Sequence, residues 1–173
     1  MNKHVIVFFA FISFLSVNSQ INKDFGNVYK IEAPDLLLEK NREYKVIFDI
    51  YTDNSNGEKI NPLLNTVARF INMHGEQGIL IENMKIAVIL HGKATRSALT
   101  DAAYNKLYKI DNPNSKLISV LKNTNVEIFV CGQSYMASKF EVEDKSDNVK
   151  MSLSALTALV EYQKNGYQII NFN

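Results

Sequence analysis

The sequence predicts an α/β domain: a mostly parallel five-stranded sheet covered by helices on both faces, three layers in all. Three observations carry this. Short segments rich in β-branched and apolar residues recur along the chain, stretches with helical spacing separate them, and turn residues mark the junctions. A length of 173 residues fits one domain, and a hydrophobic content of 46% suits a packed core rather than a disordered chain.

Residues 1–19 read as a secretory signal peptide. Lys3 and His4 make a basic start, Val5 to Val17 is mostly apolar, and Val17-Asn18-Ser19 offers a small residue before Gln20. The apolar run of about 13 residues is short of the roughly 20 that a spanning helix needs, so no stable membrane insertion is expected after cleavage. The expected location is periplasmic or secreted. Residues 20–43 form a polar lead-in with a Leu36-Leu37-Leu38 cluster, expected to pack on the surface of the domain formed by residues 44–173.

Within that domain Tyr44 to Tyr51 (YKVIFDIY) reads as the first strand and Asp53 to Lys59 as a loop. Asn61-Pro62 starts a helix that carries Leu63, Leu64, Val67, Ala68 and Ile71, with Gly75 as its stop. Met84 to Leu90 is the second strand, bounded by His91-Gly92. Ala94 to Leu107 is helical at least from Thr100, and Asn112-Pro113-Asn114 is a turn. Asn114 or Ser115 then caps a helix with Leu117, Ile118 and Leu121. Val126 to Val130 is the third strand and Gln133 to Phe140 a short helix; Glu141 to Asn148 is loop-like. Val149 to Leu153 is the fourth strand. Ser154 caps a helix holding Leu156, Leu159 and Val160, which stops at Gly166 before a last strand, Tyr167 to Ile170.

Composition excludes several function classes. Lys+Arg 19 against Asp+Glu 18 gives no electrostatic case for nucleic acid. The lone Cys131 allows no internal disulfide, no CxxC pair and no multi-cysteine zinc site. Signal cleavage leaves His74 and His91, without metal-ligand spacing, so no metal is expected. Neither GxxxxGK[ST] nor GxGxxG occurs, so no nucleotide cofactor is expected either.

The chemistry concentrates where strands end. Parallel strands share one C-terminal edge, so His91-Gly92, Cys131-Gly132-Gln133 and Ser152 to Ser154 should lie together there. Cys131 stands between a strand and a helix start, whose free N–H groups favour a thiolate. His91 is the histidine placed to act as its base or ion partner. Gly92, Gly132, Gln133 and Ser154 are candidate ligand contacts, Gly132 because it lets a ligand approach the backbone. From the residues alone, Cys131 reads equally as a poised nucleophile or as an inert end to a core strand. His74 reads as a complement to its helix dipole, Arg69 and Asn72 as solvated or structural, and Asp101 as a first-turn helix acid.

Several stretches carry a family resemblance. They are Ala87 to Gly92 (AVILHG), Asn112-Pro113-Asn114, Val126 to Ser134 (VEIFVCGQS), Ser154 to Leu159 (SALTAL) and Gln163 to Tyr167 (QKNGY). With them the chain resembles the DsrE/DsrF-like family, more narrowly its secreted bacterial branch, over about Tyr44 to Phe172. The resemblance implies a three-layer α/β/α fold with a five-stranded parallel sheet, and a strand order that sets strands two, three and four side by side. It implies a homo-oligomer, a trimer or hexamer, with the site near a subunit boundary. It also implies that the cysteine matching Cys131 can hold a persulfide and pass the outer sulfur on.

Three functions compete. The first is a sulfur-handling protein that carries a sulfane sulfur on Cys131, supported by His91, between thiol-bearing donor and acceptor proteins. The second is a non-catalytic small-ligand-binding or assembly module of the same fold. The third, ranked last, is a Cys–His hydrolase with Asp101 as the third member.

Overall fold

The computed structural model describes residues 24–172. The leader assigned to residues 1–19 lies outside them. Five strands form one sheet: β1 (Tyr44–Ile50), β2 (Met84–Leu90), β3 (Glu127–Cys131), β4 (Lys150–Ser152) and β5 (Gln168–Asn171). Their order is β4-β3-β2-β1-β5, and every pairing is parallel. Strands two, three and four are thus neighbours, and the C-terminal ends of all five share one edge.

Alternation along the strands sorts the side chains into two unequal layers. Val46, Phe48 and Ile50 of β1, with Ile86, Val88 and Leu90 of β2, face a large core shared with α1 (Pro62–Glu76), α2 (Asp101–Tyr108), α3 (Ser115–Asn123) and Tyr135 of α4 (Gly132–Ala137). Ile47, Ala87, Ile89 and Cys131 face the other way, against Ala155 and Ala158 of α5 (Ala155–Lys164). Alanine on both sides of this thin layer lets a single helix approach the sheet closely. In consequence the apolar residues expected to seat α5 do not all do so: Leu156 and Val160 are exposed.

Local chemistry explains the helix starts. Asn61 accepts from the Leu63 amide ahead of Pro62, and Thr100 accepts from the Ala103 amide. The helix expected from about Ala94 divides there into a 3₁₀ segment, Gly92–Ala98, and α2. Helix α1 runs past Gly75 to Glu76, and the chain turns at Gly78, where φ is +82°. Helix α4 is shorter than expected and ends at Ala137; Lys139 then adopts a left-handed conformation. In the lead-in, Phe25 is buried, and Asn72 donates to the carbonyls of Phe25 and Gly26. Residues 27–43 lie largely at the surface.

Buried amides tie the loops at the reactive edge. Asn112 Nδ2 donates to the carbonyls of Ser97 (3.0 Å) and Leu99 (2.7 Å). Its Oδ1 accepts from the Asn114 amide at 3.0 Å. Asn114 does not cap α3 with its side chain; its Oδ1 accepts from the Asn61 amide across the fold at 2.8 Å. These bonds join the starts of α1 and α3 to the 3₁₀ segment after β2. Removing the Asn112 side chain would leave buried carbonyl and amide groups unpaired, and Asn112→Ala is expected to cost about 3 kcal/mol, read as a lower urea midpoint at unchanged slope.

Candidate functional site

Cys131 is the last residue of β3, paired in register with Ser152 of β4, and it occupies the cap position of α4. Its sulfur accepts from the Ser134 amide at 3.4 Å. The residue is 4% exposed. Burial alone pushes the thiol pKa up. Hydrogen bonds from the Ser134 hydroxyl and amide, and from the amides of Ala155 and Gln133, outweigh it, and the thiol lies below its ordinary range. These donors come from the starts of two helices, α4 and α5, which converge on one sulfur because β3 and β4 are neighbours.

Register sets His91 next to it. Leu90 pairs with Val130, so the following residues, His91 and Cys131, stand side by side at the edge. The backbone of His91 is extended and continues β2, which puts its side chain on the α5 side of the sheet, as Ile89 and Cys131 are. Its Nε2 meets Asp49 Oδ1 at 2.6 Å, and Asn171 donates to Asp49 Oδ2 at 2.9 Å. The Tyr51 ring lies 5.1 Å from the imidazole, centroid to centroid. Among the described residues no hydrogen bond joins the imidazole to the sulfur.

The remaining predicted residues hold the site's backbone together. A Cβ on Gly132 would lie 2.7 Å from the Ser152 carbonyl oxygen, so the space a ligand was expected to use is filled by the β4–α5 turn. Gly92, at φ +52°, lies against Tyr51, and its amide donates to Ser134 Oγ at 3.3 Å. Gln133 is exposed and contributes its amide. Ser154 caps α5, accepting from the Thr157 amide at 3.0 Å.

Asp101 is a helix acid, as expected, accepting from the Asn112 amide and the Ser115 hydroxyl. The acid beside His91 is instead Asp49. Sequence reading missed it because it sits inside an apolar strand; a carboxylate among buried neighbours, which needs partners, was the available signal. Asn171 and Ser134 were missed too. His74 does not act as a charged complement to its helix: burial lowers its pKa, its Nδ1 meets the Phe70 carbonyl at 2.8 Å, and its ring packs on Phe70 and Tyr44.

Among the described residues no group of three or more His, Cys, Asp or Glu side chains could hold a metal ion. None of the described helices is long and apolar enough to cross a membrane.

Comparison with known proteins gives a family match and two structural likenesses. The model of the DsrE/DsrF-like family matches residues 45–172. The structure of the protein of unknown function MTH1491 from Methanobacterium thermoautotrophicum is similar, with a TM-score of 0.56 and 21% identity, covering 75% of this chain and 100% of that one. The ychN protein from E. coli is similar at a TM-score of 0.51 and 15% identity, covering 75% of this chain and 99% of its own. Both likenesses concern the fold. No curated protein matches the chain.

The closeness of Gly132 to the β4–α5 turn yields a prediction. Gly132→Ala pushes that turn, and the Ala155 amide behind it, away from the sulfur. We expect a loss of about 2 kcal/mol in urea unfolding and a higher pH midpoint for alkylation of Cys131.

Proposed function

The chain belongs to the DsrE/DsrF-like family, and on that premise we propose that it handles sulfur, carrying a sulfane sulfur as a persulfide on Cys131 in a periplasm or outside the cell. One observation carries the reading. A thiol that burial should keep protonated is drawn towards thiolate by amide and hydroxyl donors from α4 and α5. A core cysteine that merely fills space does not need them.

The proposed step balances without an external oxidant. The Cys131 thiolate attacks the outer sulfur of a donor persulfide. The new bond joins Sγ to that sulfur, the donor's S–S bond breaks, and its electron pair leaves with the donor as a thiolate. The outer sulfur, with any proton it carries, now sits on Cys131. An acceptor thiolate reverses the sequence, and Cys131 departs as a thiolate steadied by the same amides. One cysteine therefore suffices, provided donor and acceptor bring their own thiols. His91 supplies the adjacent base or counter-charge.

Partners must reach a recessed atom. Met136, Met151, Leu153, Leu156 and Val160 are exposed on the elements that hold Cys131. This apolar surface supports a homo-oligomer contact beside the site. The sulfur's burial favours a second reading, a non-catalytic binding or assembly module in which Cys131 only lines the site.

Alkylation separates the two. Under the sulfur-handling reading, iodoacetamide modifies Cys131 with a pH midpoint below the roughly 8.5 of a free thiol. Incubation with a sulfane-sulfur donor adds the mass of one sulfur atom to the intact protein, and Cys131→Ser abolishes the adduct. No adduct, or one that survives the substitution, removes the reading; slow alkylation with an ordinary midpoint favours the binding module.

A further inference from the structure

Asp49 is out of place as a structural residue. It lies inside β1 between Phe48 and Ile50, is largely buried, and would be replaced at little cost to packing by an apolar residue. The fold keeps both of its oxygens occupied by side chains rather than by loop amides. Asn171, its register partner on β5, donates to Oδ2, and His91, two residues past its register partner on β2, meets Oδ1. The chain of bonds thus runs across β5, β1 and β2 and ends beside Cys131 on β3.

Resting on the sulfur-handling reading, we infer that Asp49 and Asn171 are positioning residues for the chemistry of Cys131 and act through His91. A carboxylate can only accept, so Nε2 carries the proton, and in the neutral imidazole the lone pair is on Nδ1. Asn171 holds the carboxylate from the far side and fixes its rotamer. Tyr51, packed on the imidazole, limits the ring's swing. When the imidazole takes up a proton, Asp49 is its counter-charge, and a positive group then stands next to the sulfur as the thiolate forms. A carboxylate orienting a histidine that serves a neighbouring nucleophile is a general chemical arrangement.

Charged and titratable groups stand on the elements around this corner, Lys93, exposed two residues past His91, among them. From β1 and its end come Asp49 and Tyr51, and from the end of β2 comes His91. From α4 and α5 come the uncharged donors of Gln133, Ser134 and Ala155. Lys150 of β4 pairs with Glu127 at the start of β3. Arg96 of the 3₁₀ segment pairs with Asp53. On the outer side of α5, Lys164 pairs with Glu161.

The test follows alkylation of Cys131 against pH in wild type, Asp49→Asn, Asn171→Ala, His91→Gln and the Asp49→Asn/His91→Gln double variant. Asp49→Asn should raise the midpoint by about one pH unit, a tenfold loss of thiolate below it, and Asn171→Ala should shift it the same way by less. His91→Gln should raise it too, and the double variant should lie at or below His91→Gln alone, because Asp49 favours the thiolate only through the ring and its direct effect as a negative charge runs the other way. Imidazole 15N spectra should place the His91 proton on Nε2 in wild type and show mixed tautomers in Asp49→Asn. Deleting the carboxylate also removes a negative charge near the sulfur, which acts the other way; an unchanged or lowered midpoint, or additive shifts in the double variant, overturns the inference. If Asp49→Asn folds poorly, Asn171→Ala, at an exposed edge position, decides alone by the same two readouts. Persulfide loading of wild type is scored separately. A midpoint shift without loading would sink the sulfur reading and leave the coupling standing; loading without a shift would do the reverse.

Discussion

A sulfur atom almost closed off from water is held towards the charged form that burial disfavours. That opposition organises the rest of the site. A thiolate in low dielectric needs dipoles or an opposite charge already aimed at it. The donors here are the Ser134, Gln133 and Ala155 amides and the Ser134 hydroxyl. They reach one point because two helices begin there, and two helices begin there because β3 and β4 are parallel neighbours ending at the same edge. Gly132 lets the two backbones come together: its missing side chain is the space into which the Ser152 carbonyl fits. Ser134 then closes the ring by accepting from the Gly92 amide, so the end of β2 is fastened to the same centre.

The parallel sheet was legible in the sequence because its three inner strands, β1 to β3, are mostly apolar runs, as strands covered on both faces are, while the edge strands β4 and β5 are short and largely exposed. The edge residues followed from the strands, since the chain has no freedom in where parallel strands end. The placement of His91 and Cys131 together at that edge followed from the strands alone, and the register has them so. Strand ends moved by a residue, with β3 reaching Cys131 itself, because the cysteine is both the last strand residue and the helix cap.

What stayed hidden depends on pairing between distant segments. Asn171 and Asp49 are 122 residues apart, and nothing local to either marks the other. Asn114 looks like a helix cap by type and position, yet its side chain serves Asn61, a choice made by tertiary structure. On α5, periodicity named the large apolar residues as the buried face. The sheet accepted Ala155 and Ala158 with Leu159 partly buried beside them, and left Leu156 and Val160 exposed, since Ile47 and Ile89 already fill much of the volume below. Propensity describes what a residue prefers locally; the thickness of a layer is a property of both elements that meet.

Recession of the sulfur has a consequence for a carrier. An S–S bond is about 2.05 Å long, so the outer sulfur of a persulfide stands clear of the inner one by that distance. With Sγ nearly buried among amides, the inner sulfur is the shielded atom and the outer one is the atom a partner meets. Attack on the outer sulfur transfers it; attack on the inner one would leave a mixed disulfide. A buried Sγ with donors aimed at it therefore favours the productive route twice, by blocking the wrong sulfur and by stabilising Cys131 as the leaving thiolate. On the proposed carrier role, the burial that first reads as evidence for an inert cysteine thus becomes, once the donors are counted, a feature that directs attack to the outer sulfur.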